Sequence, residues 1–97
     1  MMYKFMKKQR YLLKLNQRVK ISNAIFKEEV CGTIIAVPRE TKQMFKENWQ
    51  NDYLREIETK KGNHIFYWVK LDIPQFDRDG DGPYHEAEVN SMYLTPI

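Results

Sequence analysis

The sequence predicts a mainly β fold with one or two helices, and three observations carry the prediction. Arg18-Val19-Lys20-Ile21 alternates polar and apolar residues, the pattern of a strand with one face on a core. Val30 to Val37 (VCGTIIAV) and His64 to Leu71 (HIFYWVKL) are dense in β-branched and aromatic residues, which favour strands. Turn formers punctuate the chain around these runs: Ser22 and Asn23 after the first, Pro38 after the second and Pro74 after the third.

The elements follow in order. Met2, Phe5, Met6, Gln9, Leu12 and Leu13 fall near one face at helical spacing, with Lys4, Lys7, Lys8 and Lys14 mostly opposite. The segment 1–16 reads either as a short amphipathic helix or as a basic arm entering a strand around Tyr11 to Leu15. Residues 17–97 read as one domain. Inside the second strand, Gly32 predicts a bulge or a sharp bend, because glycine weakens a regular strand. Pro38 is expected to stop that ladder.

From Thr41 to Thr59 the period changes. Met44, Phe45, Trp49, Tyr53, Leu54 and Ile57 recur at intervals of three and four, so a helix of about four turns is expected. Thr41 would be its N-cap, and Lys60, Lys61 and Gly62 would close its C-terminus. The next strand sets Ile65, Tyr67, Val69 and Leu71 on one face and Phe66 and Trp68 on the other. The second face is either covered by that helix or is an exposed aromatic platform. Pro74 is expected to end the strand, and the loop FDRDGDGPY leads to a short Ala87-Glu88-Val89 segment and a closing Tyr93-Leu94-Thr95-Pro96.

Length and composition limit the reading. A chain of 97 residues supports one core, and with 42% hydrophobic and 30% charged residues it is too apolar to be wholly disordered. Cys31 is the single cysteine, which rules out an internal disulfide and favours a reducing, cytoplasmic location. No stretch approaches the roughly 18 apolar residues of a membrane span, and Lys4, Lys7, Lys8 and Arg10 interrupt anything resembling a signal peptide. Charge is uneven: residues 1–27 hold eight Lys or Arg and no acid, whereas residues 62–97 hold two bases and six acids. A basic end of this kind either attracts an anionic partner through long-range steering or is a solvated arm that aids solubility.

Taken together, RVKI, the Gly-Thr-Ile step of CGTII, WVKLD ending on an acid, the glycine turn and the terminal SMYLTP resemble a small SH3-like barrel of the KOW and Tudor kind. The resemblance covers about residues 17–38 and 64–97. It implies an SH3-like small barrel carrying a helical insertion, at about 39–62, between the second and third strands. Such barrels bind nucleic acid, bind peptides or serve structural roles, so the resemblance assigns no binding residue.

Several constellations could carry function. DRDGDGPYHEAE, residues 77–88, has the spacing of an EF-hand calcium loop: Asp77, Asp79 and Asp81 alternate, Gly82 takes the sixth place and Glu88 the twelfth. The context differs, because the loop is entered from a strand through Pro74 and contains Pro83 and Tyr84. The alternative is a polar Asp-Gly turn between strands. His85 with Glu86 and Glu88 could ligate a transition metal only with help from His64, and Cys31 is expected in a core strand as a small buried hydrophobe. Neither phosphate-cradling glycine motif occurs, and Ser22 and Ser91 look like turn residues, so no enzyme is expected. No cofactor is expected, calcium being the one possibility.

The leading reading is a non-catalytic adaptor or regulatory module that binds a protein partner through Phe66, Trp68, Trp49 and Tyr84. The alternative is nucleic-acid binding by Arg10, Lys14, Arg18 and Lys20 beside Tyr11 and Trp68, with cations on phosphates and rings on bases. No oligomeric state is assigned.

Overall fold

The structure, a computed structural model, describes residues 13–45 and 52–97. Its elements are β1 (Arg18–Ile21), β2 (Val30–Ile34), α1 (Arg39–Phe45), β3 (Leu54–Thr59), β4 (Gly62–Gln75), β5 (Tyr84–Asn90), a 3-10 turn (Ser91–Tyr93) and β6 (Leu94–Pro96). All strand pairings are antiparallel, and the single sheet curls into a half-barrel.

β4 is the spine. Val69 and Lys70 pair with β2 and also with β5, while Phe66 and Tyr67 pair with β3 and also with β5. A residue has only two edges, so β3 and β2 lie end to end along one edge of β4 and β5 runs along the other. β2 hands on to β1, and β1 to β6.

Alternation along the strands decides what is buried. β1 turns Val19 and Ile21 inward, β2 turns Val30 and Ile34, and β4 turns Tyr67, Val69 and Leu71, all joined in one core with Val89 and Leu94. Full burial of each such side chain contributes about 1.5–3 kcal/mol. The core also takes in Leu13, from the segment read as an arm. Its backbone N–H donates to the Tyr67 hydroxyl at 2.7 Å, satisfying a polar atom that β4 carries into the interior. The expected helix over 2–13 otherwise lies outside the described residues, and of the strand expected around Tyr11 to Leu15 the described part, from Leu13 on, is no strand: it runs into a turn at Leu15 and Asn16.

The sequence reading is corrected at four places. First, the expected helix from Thr41 to Thr59 is in its described parts a seven-residue helix followed by a strand. Thr41 lies within α1, whose first bond runs from the Lys42 N–H to the Pro38 carbonyl at 3.1 Å. Leu54 to Thr59 pair residue for residue with Tyr67 to Gly62, so this part lies beside β4 and cannot lie across it. Lys60 and Lys61 form the two-residue hairpin turn, and Gly62 (φ 119°) serves that turn instead of ending a helix.

Second, Gly32 makes no bulge. It pairs in register with Val19 on one side and Leu71 on the other, and a Cβ there would stand 2.6 Å from the Lys70 carbonyl oxygen. Glycine lets two strands approach closely. Third, Cys31 is half-buried on the face opposite Val30, Gly32 and Ile34, outside the core. Fourth, Pro74 does not end β4, which continues to Gln75. Pairing with β5 is irregular between Lys70 and Gln75, where a residue lacking an N–H is tolerated.

Candidate functional site

The outer face of β4 gathers most of the chemistry that strand alternation can place together. Phe66 and Trp68 point away from the core, as do Arg55 from β3 and Glu86 and Glu88 from β5, because directly opposed residues share a face. Neither ring is fully covered or fully exposed. The Arg55 guanidinium lies 5.4 Å from the Phe66 ring centroid and reaches across β4 to Glu88, with Nε to Oε2 at 3.1 Å and a second bond from Nη2 to Oε1. The fork matches the carboxylate, and the cation sits against the ring quadrupole. The pair is well sheltered, its side chains 13% and 27% exposed, so solvent screens it less than a surface ion pair.

Trp68 is fixed from the same side. Its indole Nε1–H donates to Glu86 Oε1 at 2.7 Å, and Glu86 stands opposite Lys70 in the ladder. The Trp68 indole is thus tied to β5, and the Phe66 ring lies against the Arg55 cation from β3. At the end of this face, the Asn90 amide lies 3.4 Å from His64 Nδ1.

The acidic loop is built differently. Asp77 Oδ1 accepts from the N–H groups of Asp79 and Asp81, each at 2.9 Å, and Oδ2 accepts from the Tyr84 hydroxyl at 3.1 Å. The Asp81 N–H is the main reason the Asp77 carboxyl is held below its ordinary range, and the same aspartate pushes the Tyr84 hydroxyl upward. Gly80 (φ 88°) and Gly82 (φ 127°) take the left-handed positions, and the Gly82–Pro83 bond is cis. The loop is also tied to the connection between β1 and β2. Phe26, buried, bridges Asp77, the Lys27 N–H donates to the Phe76 carbonyl at 3.2 Å, and Arg78 Nε donates to the Asn23 carbonyl at 2.9 Å.

The four carboxylates of the calcium reading are thus not brought together. Asp77 is turned onto its own backbone, Asp79 and Asp81 are exposed, and Glu88 sits in β5 bound to Arg55. Among the described residues no group of three His, Cys, Asp or Glu is placed to hold a metal ion. The signal missed in the sequence was Arg55, which stands across β4 from Glu88 and claims it.

The basic set is also dispersed. Arg18 binds Asp72 with both terminal nitrogens, at 2.7 and 2.5 Å, and donates to Thr33 Oγ1 at 2.9 Å. That pairing holds the Asp72 carboxyl low and the Arg18 guanidinium high. Lys20 pairs with Glu29 at 3.7 Å, and Lys14 is exposed. Arg10, Tyr11 and Trp49 lie outside the described residues. Tyr84 is 38% exposed and its ring lies 6.4 Å from Phe26, at the far end of β5 from Phe66.

No helix among the described residues is long and apolar enough to cross a membrane. Comparison with family models, with curated proteins and with solved structures finds no match.

Proposed function

We propose that the chain is a non-catalytic binding module that recognises a protein partner on an SH3-like small barrel. Support for the barrel type comes from connectivity: β1, β2, β4 and β5 form a meander, and a 3-10 turn then returns β6 to the free side of β1. The residues between β2 and β4, with α1 and β3, read as an insertion into that order.

One observation carries the function: Phe66 and Trp68 share an outer sheet face with Arg55, which lies against Phe66 and binds Glu88, and with Glu86, which accepts from the Trp68 indole. Rings fixed before contact offer large apolar area with little ordering cost on binding, and the surrounding charges select the partner. The nucleic-acid alternative draws less support, because Arg18 and Lys20 already face carboxylates. Calcium at 77–88 draws less as well, because Asp77 and Glu88 are engaged elsewhere.

The test is affinity capture from the source cells with the wild type, Trp68→Ala and Trp68→Phe as baits, alongside melting curves. A partner held by the wild type and weakened about tenfold or more by Trp68→Ala, with the variant still folded, is the expected result. Equal capture by all three baits would remove the outer face from the reading.

A further inference from the structure

Among the described residues, β5 pairs with β4 along one side only, and its other edge carries no strand. From Glu86 to Asn90 the ladder is regular, so alternate backbone N–H and C=O groups point away from the sheet. None of them bonds to another described residue. Exposed strand edges are normally guarded by charged side chains, lysine above all, by proline, by a bulge or by a covering element, and here Glu86 and Glu88 are the charges present. Residues 86–90 (EAEVN) contain no lysine or proline, and the irregular pairing lies beyond them, toward Gln75. Exposed apolar side chains flank the edge at both ends, Tyr84 at 38% and Met92 at 67% exposure.

Charge decides what can pair there. From Asp79 to Ile97 the chain carries four acids and no lysine or arginine. A second copy of β5, added antiparallel with faces aligned, would set Glu86 against Glu88 if centred on Ala87. It would set Glu86 or Glu88 against itself if centred on either glutamate. Like charges directly opposed destabilise a sheet, so self-pairing is disfavoured in every central register. A strand with Lys or Arg at alternate positions reverses the sign. Its bases would face Glu86 and Glu88, whose carboxylates have acceptor capacity beyond the single bond to Trp68 and the fork from Arg55. Its intervening apolar residues would extend the inner side beyond Ala87 and Val89.

We propose that β5 is a strand-addition site for an extended segment of another protein that presents Lys or Arg on its outer side and apolar residues on its inner side. The inference rests on the protein-binding reading and names the partner's chemistry. The lysine-rich segment adds main-chain hydrogen bonds that carry affinity, while the two glutamates set orientation.

A capped peptide of about five Val-Lys repeats, long enough to span β5, is the probe, with a Val-Glu peptide as control. Amide hydrogen exchange followed by NMR on the full chain is the readout. The Val-Lys peptide is expected to slow exchange of alternate amides within 84–90 by about tenfold or more. Its binding should weaken with salt and fall about threefold in Glu86→Gln, which keeps an acceptor for Trp68. Three outcomes overturn the proposal: no binding at millimolar peptide, equal binding of the Val-Glu peptide, or binding that leaves the β5 amides unprotected. None of these touches the capture test on Trp68, so failure here and failure of the protein-binding reading are separately visible.

Discussion

On the inner face of β4, Tyr67 and Val69 are fully buried, whereas on the outer face Phe66 and Trp68, their immediate neighbours, stay half-covered beneath charged side chains. The residue types on the two faces are similar, and the surroundings differ. Inside, apolar side chains from β1, β2, β5 and β6 exclude water, and the Tyr67 hydroxyl that β4 carries in accepts from the Leu13 N–H. Outside, the rings meet Arg55, Glu86 and Glu88, which keep solvent access while fixing geometry. The difference separates the strand's two tasks: the inner row holds the fold, and the outer row presents a surface.

Three perturbations break or sharpen that contrast. The largest effect is expected from Gly32→Ala, whose new Cβ would press on the Lys70 backbone oxygen and the Val69 side chain. Neither can swing away, so β2 and β4 must part, at a cost on the order of 3 kcal/mol in urea unfolding. Lys70→Ala, outside on the same pair of strands, should stay within about 0.5 kcal/mol. If both variants unfold alike, the close approach of β2 and β4 is not what holds the inner row.

A middle-sized effect is expected from Arg55→Met. Glu88 would be left partly buried without its fork, a loss of about 1–2 kcal/mol. The double variant Arg55→Met with Glu88→Leu should regain most of it, because both charges are then removed. A double variant no better than the single one would mean that the pair does not act as a unit.

The smallest effect belongs to the exposed rim. Asp52, Asp72 and Asp77 all have carboxyls held below the ordinary 3.8, by Lys42, Arg18 and the Asp81 N–H respectively. A carboxyl depressed in the folded state contributes stability above its unfolded value, and the contribution is lost as pH falls through its folded one. The melting temperature should therefore hold steady from neutral pH to about pH 5 and fall below about pH 4. Asp72→Asn should flatten part of that fall by giving up the same small contribution at neutral pH, while the acid limit stays close to that of the wild type. A steeper acid loss in Asp72→Asn would contradict the assignment.

Much of the fold was legible because period two is a direct imprint of a one-sided core. Val19 and Ile21, or Tyr67, Val69 and Leu71, declare their face without help from distant residues. β3 was not legible. Leu54 faces inward with Tyr67 and Ile57 faces outward with His64, so the two apolar residues sit three apart on opposite faces, a spacing shared with a helix. Arg55 and Glu56 fill half-buried positions that an apolar pattern would need, and Arg55 is accommodated there through Glu88 on the far side of β4. The candidate site was half legible: Phe66 and Trp68 were evident, but their clamp depends on which strands flank β4. The string from Asp77 to Glu88 has the same limit, since spacing along the chain does not reveal that a strand begins inside it at Tyr84.

β1 pairs on one side with β2, the next strand along, and on the other with β6, more than seventy residues further on. Closing so long a loop carries a large entropic penalty before any contact offsets it, and folds that depend on such pairings assemble slowly. During synthesis the hairpins formed by β1 with β2 and by β3 with β4 can take shape early. The Val19 and Ile21 row, by contrast, has an open flank until Leu94 emerges from the ribosome. Until that strand is in place the chain carries an unfinished seam, the kind of exposed apolar row at which aggregation competes with folding.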